Sequence, residues 1–193
     1  MELVLASGSV YRRALLERLG LPFRARPARV DEEALAQANP GLAPAELTTL
    51  LAAAKARSLA ADEPKATIIG SDQLVSLDGR PLGKPGTIER AAEQLARLAG
   101  RMHELVTALA VLHQGVLYQH RDVTRLWMRP LTSAEIHRYL AADQPLDCAG
   151  SYKIEARGIA LFSRIETQDH TAIMGLPLIA LTTILRRLGY AVP

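Results

Sequence analysis

Asp72 is the first candidate for a catalytic or metal-binding residue in this sequence of 193 residues. Asp72 follows the apolar run Ala66 to Gly70, which predicts a buried strand ending in Ser71-Asp72-Gln73. Ligands of α/β sheets bind beyond the carboxyl ends of strands, where a carboxylate can hold a divalent cation or activate water. A single aspartate after a strand is more often a turn residue that accepts backbone hydrogen bonds, so this alternative stays open.

Three lysines fall in segments that could serve the same site. Lys55, Lys84 and Lys153 belong to a chain with only four lysines but nineteen arginines. The compact lysine ammonium suits phosphate oxygens where the planar fork of arginine is not required. The alternation in Ser151 to Glu155 predicts a strand with Ser151, Lys153 and Glu155 on one face. The competing interpretation of that face is a solvated ladder of charges.

The N-terminal segment has the pattern of an anion site. A short strand leads through Ser7-Gly8-Ser9 into a helix, whose first backbone N–H groups are free to bind an anion. Arg12 and Arg13 lie in the first turn, where positive charge opposes the helix dipole unless an anion is bound. The alternative is that both arginines are solvated on an amphipathic helix. The segment is neither a GxGxxG motif nor a P-loop.

Composition and charge exclude several classes of protein. With 49% hydrophobic and 22% charged residues, the chain is typical of a globular protein. No apolar run is long enough to span a membrane, and the N-terminus lacks the features of a signal peptide, so we expect a cytoplasmic location. The net charge of +3 comes from scattered arginines, which favours a small polyanionic ligand over a nucleic acid. The five histidines lack zinc-ligand spacing, and we expect Cys148 to be a buried structural thiol.

These residues must be positioned by interleaved helices and strands, which predict an α/β fold with a mixed central sheet flanked by helices. We expect one domain over residues 1–193, with two lobes around a central cleft. Strands or extended segments are expected at 3–6, 23–28, 66–70, 104–112, 116–121, 122–128, 151–155 and 159–165. Helices are expected from the Ser7-Gly8-Ser9 loop to Gly20 and at 44–61, 87–99, 132–142 and 177–188, with an acidic turn at 30–33.

Seven short blocks, in order along the chain, resemble the Maf family of nucleotide pyrophosphatases. The blocks are Leu-Ala-Ser-Gly-Ser-x-x-Arg-Arg at 5–13, Val-Asp-Glu at 30–32, Lys-Ala at 55–56, Ile-Gly-Ser-Asp-Gln at 69–73, Gly-Lys-Pro at 83–85, Cys-Ala-Gly-Ser-Tyr-Lys-x-Glu at 148–155 and Gly-Leu-Pro-Leu at 175–178. Each block alone is weak, but seven in order over nearly the whole chain are specific.

The resemblance implies a fold related to inosine-triphosphate pyrophosphatase, usually dimeric. It also implies hydrolysis of a nucleoside triphosphate to the monophosphate and pyrophosphate with a divalent cation, Mg²⁺ or Mn²⁺. By position, Asp72 matches the general base of the family, and Glu32 would share the cation with it. The substrate- and phosphate-binding positions are matched by Ser7, Ser9, Arg12, Arg13, Lys55, Lys84 and Lys153. Val10 stands where the family usually has proline, which we expect to loosen the loop and leave the chemistry intact.

Three further positions distinguish branches of the family. Tyr11, Gln73 and Glu155 resemble the branch that acts on 7-methyl-GTP, whereas the thymidine/uridine-triphosphate branch has Arg, Thr and Gln there. A carboxylate such as Glu155 can accept the N1–H and the exocyclic amine of a guanine edge. An aromatic ring such as Tyr11 could lie over a base made cationic by N7 methylation.

Two other functions remain open from the sequence. One is a pyrophosphatase for dTTP, UTP or another noncanonical triphosphate. The other is a nucleic-acid-binding or cell-division regulatory protein, which the absence of a continuous basic stripe and of an aromatic stacking platform disfavours.

Overall fold

The computed structural model describes residues 1–193 and contains seven strands and seven α-helices. The strands are β1 (Glu2–Ala6), β2 (Arg24–Arg26), β3 (Ala66–Leu77), β4 (Arg80–Leu82), β5 (Met102–His113), β6 (Val116–Met128) and β7 (Phe162–Glu166). The helices are α1 (Val10–Glu17), α2 (Glu32–Gln37), α3 (Pro44–Arg57), α4 (Ile88–Leu98), α5 (Ser133–Asp143), α6 (His170–Ile173) and α7 (Leu178–Arg187). Two 3₁₀ helices span Ala149–Ser151 and Arg157–Leu161.

The strands form one mixed sheet in the order β2-β1-β3-β5-β6-β7, with β4 paired to β3. β1 runs parallel to β2 and β3, whereas β3 and β4 are antiparallel, as are β6 and β7. This topology confirms the α/β fold with a mixed sheet that the sequence predicts. None of the helices combines the length and apolar character needed to cross a bilayer.

The chain divides into two compact units. The first comprises Met1–Asp72, Thr107–Asp122 and Asp169–Pro193, and the second comprises Gln73–Val106 and Val123–Gln168. Strands β3, β5 and β6 contribute residues to both units, because the boundaries fall within these strands.

The core of the first unit follows from the alternation of side chains along β1. Leu3 and Leu5 point to one face and belong to a cluster with apolar residues of α1 and α7. Val4 and Ala6 point to the other face and contact small residues of α3. Because all four side chains are buried, β1 has a helix layer on each face and is fixed in register.

β3 is longer than predicted. The sequence predicts its end at Gly70, but the strand continues to Leu77 because Val75 to Leu77 pair with β4 across the turn at Asp78-Gly79. The parallel pairing with β1 nevertheless ends at Ile69. Asp72 therefore lies within a strand, three residues beyond the end of its parallel pairing.

The segment Ser151 to Glu155 is not the predicted strand. Gly150 and Ser151 have φ of 76° and 62°, a left-handed conformation that interrupts an extended chain. A Cβ at Gly150 would lie 2.7 Å from the Tyr152 ring and 2.8 Å from Val75, so this tight packing requires glycine. The prediction that Ser151, Lys153 and Glu155 share one face of a strand is therefore wrong.

Other predictions differ mainly in their bounds. The helices starting after Ser9, Pro44, Thr87, Thr132 and Pro177 are confirmed, and four of the five end within about three residues of prediction, whereas α3 ends at Arg57 rather than 61. The residues at 30–33 are not a turn but lead into α2, whose N-cap is Asp31. Residues 157–161 form a 3₁₀ helix, so the strand predicted at 159–165 begins only at Phe162.

Candidate active site

The centre of the candidate site in the first unit is a buried ion pair. The Lys55 ammonium donates to Asp72 Oδ1 at 2.7 Å and lies 2.8 Å from Glu32 Oε1. The side chains of Lys55 and Asp72 are 8% and 7% exposed, whereas Glu32 is half exposed. Two carboxylates that are far apart in sequence thus meet at the Lys55 ammonium.

Both Lys55 and Asp72 can form further hydrogen bonds or contacts with a ligand. An ammonium has three donors. Lys55 donates one of them to Asp72 and forms an ion pair with Glu32, so it retains at least one for a phosphate oxygen. Asp72 Oδ2 forms no hydrogen bond within the protein. This oxygen is therefore available to a water molecule or a cation.

Lys55 is brought to Asp72 by the close approach of α3 to β3. Pro44 occupies the first turn of α3, where its missing N–H is harmless. Gly70 makes the approach possible, because a Cβ there would collide with the Ala52 carbonyl oxygen and lie 2.7 Å from Ala56 N. Small alanines on α3 and a glycine on β3 therefore set the position of Lys55.

The N-terminal loop is organised around Arg12. Ser9 caps α1 by accepting from Arg12 N, and Ser7 Oγ accepts from Ser9 N at 3.1 Å. The half-buried Arg12 guanidinium donates through Nε to Gly175 O at 2.9 Å and through Nη1 to Ser7 Oγ at 3.4 Å. Burial lowers the pKa of Arg12, and the negative charges of Asp72 and Glu32 oppose that shift.

Gly175, which opens the last of the seven blocks, accepts hydrogen bonds next to Asp169, a residue that the sequence analysis did not single out. Ser71 directly precedes Asp72 in β3, and its Oγ lies 2.8 Å from both Ala108 O and Gly175 O. Asp169 caps α6 and accepts from Thr171 and from Ile179 N. The Asp169-x-Thr171 spacing is an N-cap signal that could have been recognised in the sequence.

Two other predicted site residues of the first unit, Arg13 and Tyr11, are at least partly exposed. Arg13 is exposed and pairs with Glu17 at 3.1 Å, one helical turn further along α1. Tyr11 is half-buried in the first turn of the same helix. The alternative that both arginines are solvated on the helix surface is therefore correct for Arg13 but not for Arg12.

The second unit carries Gln73, Lys84, Lys153 and Glu155. Lys84 is exposed in the loop after β4 and forms no ion pair, and Glu155 is also exposed. Gln73 is half-buried within β3. The convergence of this set with the residues of the first unit stays a prediction.

Hydrogen bonds to its backbone N–H and C=O fix the position of Lys153. Its N–H donates to Tyr139 Oη at 2.9 Å, and its ammonium lies 3.4 Å from Asp143 O and 3.6 Å from Asp147 Oδ1. Gly158 N donates to Lys153 O, and a Cβ at Gly158 would collide with that oxygen. Tyr139 and Gly158 are positioning residues that no sequence pattern indicated.

Comparison with known proteins settles the family. The family model described as Maf-like protein matches residues 2–188. The chain belongs to the Maf-like family. The blocks noted in the sequence are therefore parts of a family-wide pattern.

Relatives of this Maf-like protein align over nearly their full length. A protein of Xanthomonas campestris pv. campestris is 50% identical over 99% of this chain and 98% of its own. One of Bdellovibrio bacteriovorus is 50% identical over 95% of each chain, and one of Bordetella pertussis is 51% identical over 97% of this chain and 92% of its own. All three are named 7-methyl-GTP pyrophosphatase.

The carboxylates of this Maf-like protein fit a hard divalent cation. Asp72 and Glu32 both present oxygens at the Lys55 ammonium, and oxygen ligands are those that Mg²⁺ prefers. No group of three or more His, Cys, Asp or Glu side chains forms a ready-made metal cage. A site of two carboxylates suits a cation that substrate phosphates also coordinate.

Cys148 is half-buried rather than fully buried as expected. Burial, with a contribution from Asp147, raises the pKa of its thiol to about 12. The thiol is therefore protonated at neutral pH, which disfavours a role as a nucleophile.

Proposed function

We propose that this protein is a nucleoside triphosphate pyrophosphatase that hydrolyses 7-methyl-GTP to 7-methyl-GMP and pyrophosphate. The names of relatives at about half identity over the whole chain support the activity and the substrate. The observation that carries the chemistry is the buried Asp72 carboxylate with one oxygen fixed by Lys55 and the other without a protein partner.

In the proposed reaction Asp72 is the general base. Its Oδ2 accepts a proton from a water molecule whose oxygen attacks the α-phosphorus, and the bond from that phosphorus to the bridging oxygen breaks. Pyrophosphate leaves with the bond electrons. Lys55 fixes the base through Oδ1 and directs its remaining N–H to a phosphate oxygen, and Arg12 adds positive charge on the same unit.

A divalent cation, Mg²⁺ or Mn²⁺, belongs to the proposal. Asp72 and Glu32 are the residues that would hold it, and when bound it supplies charge neutralisation for the phosphates. Ser7, Ser9, Arg13, Lys84 and Lys153 are proposed to bind phosphate oxygens. The chain is proposed to act in the cytoplasm and, as the family resemblance implies, as a homodimer.

Recognition of the base is assigned to Tyr11, Gln73 and Glu155. The exposed Glu155 carboxylate can accept two hydrogens from a guanine edge, which a pyrimidine does not offer. Stacking of Tyr11 on a base that carries a positive charge adds a cation–π attraction of about 0.5–2 kcal/mol. Together these contacts favour 7-methyl-GTP over GTP and both over pyrimidine triphosphates.

The proposal is tested by measuring pyrophosphate release with Mg²⁺ from 7-methyl-GTP, GTP, dTTP and UTP. We expect the highest kcat/KM with 7-methyl-GTP. Glu155→Gln is expected to lower that value about tenfold or more, since a charged acceptor is lost, and to leave dTTP hydrolysis unchanged. Glu93→Gln, at an exposed position of α4 that forms no ion pair, is the matched control.

A preference for dTTP or UTP would contradict the proposed substrate. Release of pyrophosphate from none of the four would contradict the enzyme class and favour the binding or regulatory alternative.

A further inference from the structure

A cavity of about 290 Å³ in the second unit is lined by three arginines. Arg129 follows β6, Arg138 lies on α5, and Arg157 begins the second 3₁₀ helix. None of the residues assigned to the proposed active site lines this cavity. The volume is close to the lower end of the range for small-molecule sites, roughly 300–1,000 Å³.

The cavity is built by one face of α5. Glu135, Arg138, Tyr139 and Ala142 line it at spacings of three, four and seven residues, which place them along one side of a helix. Ala142 and the adjoining Ala160 and Leu161 are apolar, so the arginines are the main polar groups at the cavity.

Only one arginine charge is balanced within the cavity. Arg129 donates to Glu135 Oε1 at 2.8 Å and to Ala160 O, which fixes its guanidinium in place. Glu135 is the one carboxylate in the lining, and its other oxygen accepts from Thr132 N and Oγ1. These bonds lower the pKa of Glu135 to about 2, so it is ionised at neutral pH and fully engaged.

Arg138 and Arg157 form no ion pair. Both are exposed at the mouth of the cavity, and the backbone N–H of Arg157 is fixed by Asp143 Oδ2 at 2.9 Å. Two uncompensated guanidinium groups beside a third that is held rigidly form a recognition site for phosphate oxygens, to which arginine binds in bidentate fashion.

We propose that this arginine-lined cavity binds a phosphate-bearing anion, either a free inorganic anion or the phosphate of a small nucleotide. Arg138 and Arg157 provide the binding charge, and Arg129 provides the fixed wall. Tyr139 also lines the cavity, and its hydroxyl accepts from Lys153 N.

The test is an NMR titration of the backbone amides without Mg²⁺, using inorganic phosphate, pyrophosphate and GMP as separate probes. We expect the amide signals of Arg157 and Ala160 to shift with at least one probe, because both residues line the cavity and neither is assigned to the proposed active site. Shifts with an inorganic anion identify a free anion, and shifts with GMP alone identify a nucleotide phosphate; both support the proposal.

The double substitution Arg138→Gln and Arg157→Gln is expected to raise the dissociation constant of that probe about tenfold or more. For this variant the amide signal of Ala160, which lines the cavity, is followed. Arg97→Gln with Arg187→Gln removes the same charge from exposed helix ends outside the cavity and is expected to change it less than about twofold. Asp72→Asn should retain the binding, which separates this site from the proposed active site. Absence of shifts with all three probes, or an unchanged dissociation constant in the double variant, would overturn the proposal.

Discussion

At the scale of single residues, the chemistry of the first unit depends on the Lys55 ammonium. Removing one partner of a buried ion pair leaves the other as an uncompensated charge, which costs more than the pair itself contributes. Asp72 is in this position, because Lys55 is the only charged group bonded to it and little solvent reaches it. Glu32 is half exposed and can be solvated instead.

We expect Lys55→Met to lower the free energy of unfolding by about 3 kcal/mol, because Asp72 is left buried and unpaired. Combining it with Asp72→Asn should cost less than the sum of the two single changes. Urea denaturation of the four proteins measures both effects. Lys65→Met, at an exposed position, should stay within about 0.5 kcal/mol of the parent. Additive costs would show that the pair is not coupled in solution.

His103 is a second buried residue with a defined consequence. It is 1% exposed, its Nε2 lies 3.1 Å from Tyr152 Oη, and its Nδ1 has no partner. The rings of Tyr152 and Phe162 surround it, and burial lowers its pKa to about 4. The imidazole is therefore neutral at physiological pH.

This shift predicts a pH dependence of stability. The unfolded chain binds a proton at His103 near pH 6.5, whereas the folded protein binds it only near pH 4. The contribution of neutral His103 to the free energy of unfolding is therefore complete above pH 6.5 and is lost as the pH falls from 6.5 to about 4. Between pH 7.5 and 5 the loss from this residue is about 2 kcal/mol. His103→Phe should reduce the pH dependence of the unfolding free energy by that amount, and His137→Phe, at an exposed position, should not. An unchanged pH dependence in His103→Phe would refute this assignment.

At the scale of elements, the position of α3 on β3 determines whether Lys55 reaches Asp72. The two backbones approach closely because Gly70 faces Ala52 and Ala56, with no space for a side chain. An added methyl group must push the helix away, since its nearest neighbours are backbone atoms.

Gly70→Ala is therefore expected to lower the unfolding free energy by about 1–3 kcal/mol and to reduce pyrophosphate release. Gly41→Ala is the control, because nothing lies within 4 Å of a Cβ there, and it should be neutral or slightly stabilising. Thermal unfolding and an activity assay measure the two effects. Equal behaviour of both variants would mean that α3 is not positioned by Gly70.

The elements also separate what sequence can predict from what it cannot. Helix starts at Ser9, Thr87 and Thr132 were predictable because their capping signals are local, and so was the hairpin at Gln114-Gly115. The strand predicted at 151–155 was wrong because five alternating residues also occur in an irregular loop. The loop depends on the fit of Gly150 against Tyr152 and Val75, which no local pattern records.

At the scale of the whole molecule, the family pattern predicts more than periodicity does. Residue types and spacing left Asp72 indistinguishable from a turn aspartate, and only its association with the other blocks indicated a catalytic site. The structure brings Asp72, Lys55 and Glu32 together over 40 residues of sequence, a contact that depends on tertiary packing and not on spacing. The arginine-lined cavity likewise combines residues of three segments, and no sequence pattern indicates it.

The role of Asp72 as general base is tested most directly by the rate of pyrophosphate release from 7-methyl-GTP by Asp72→Asn. The amide cannot accept the proton of water, so kcat is expected to fall by about 10²–10⁴-fold. Asp78→Asn makes the same change at the exposed turn that ends the same strand, where asparagine tolerates the φ of 52°, and should keep the parent rate. Folding of both variants is verified by their thermal unfolding. A folded Asp72→Asn protein with more than about a tenth of the parent kcat would contradict the account.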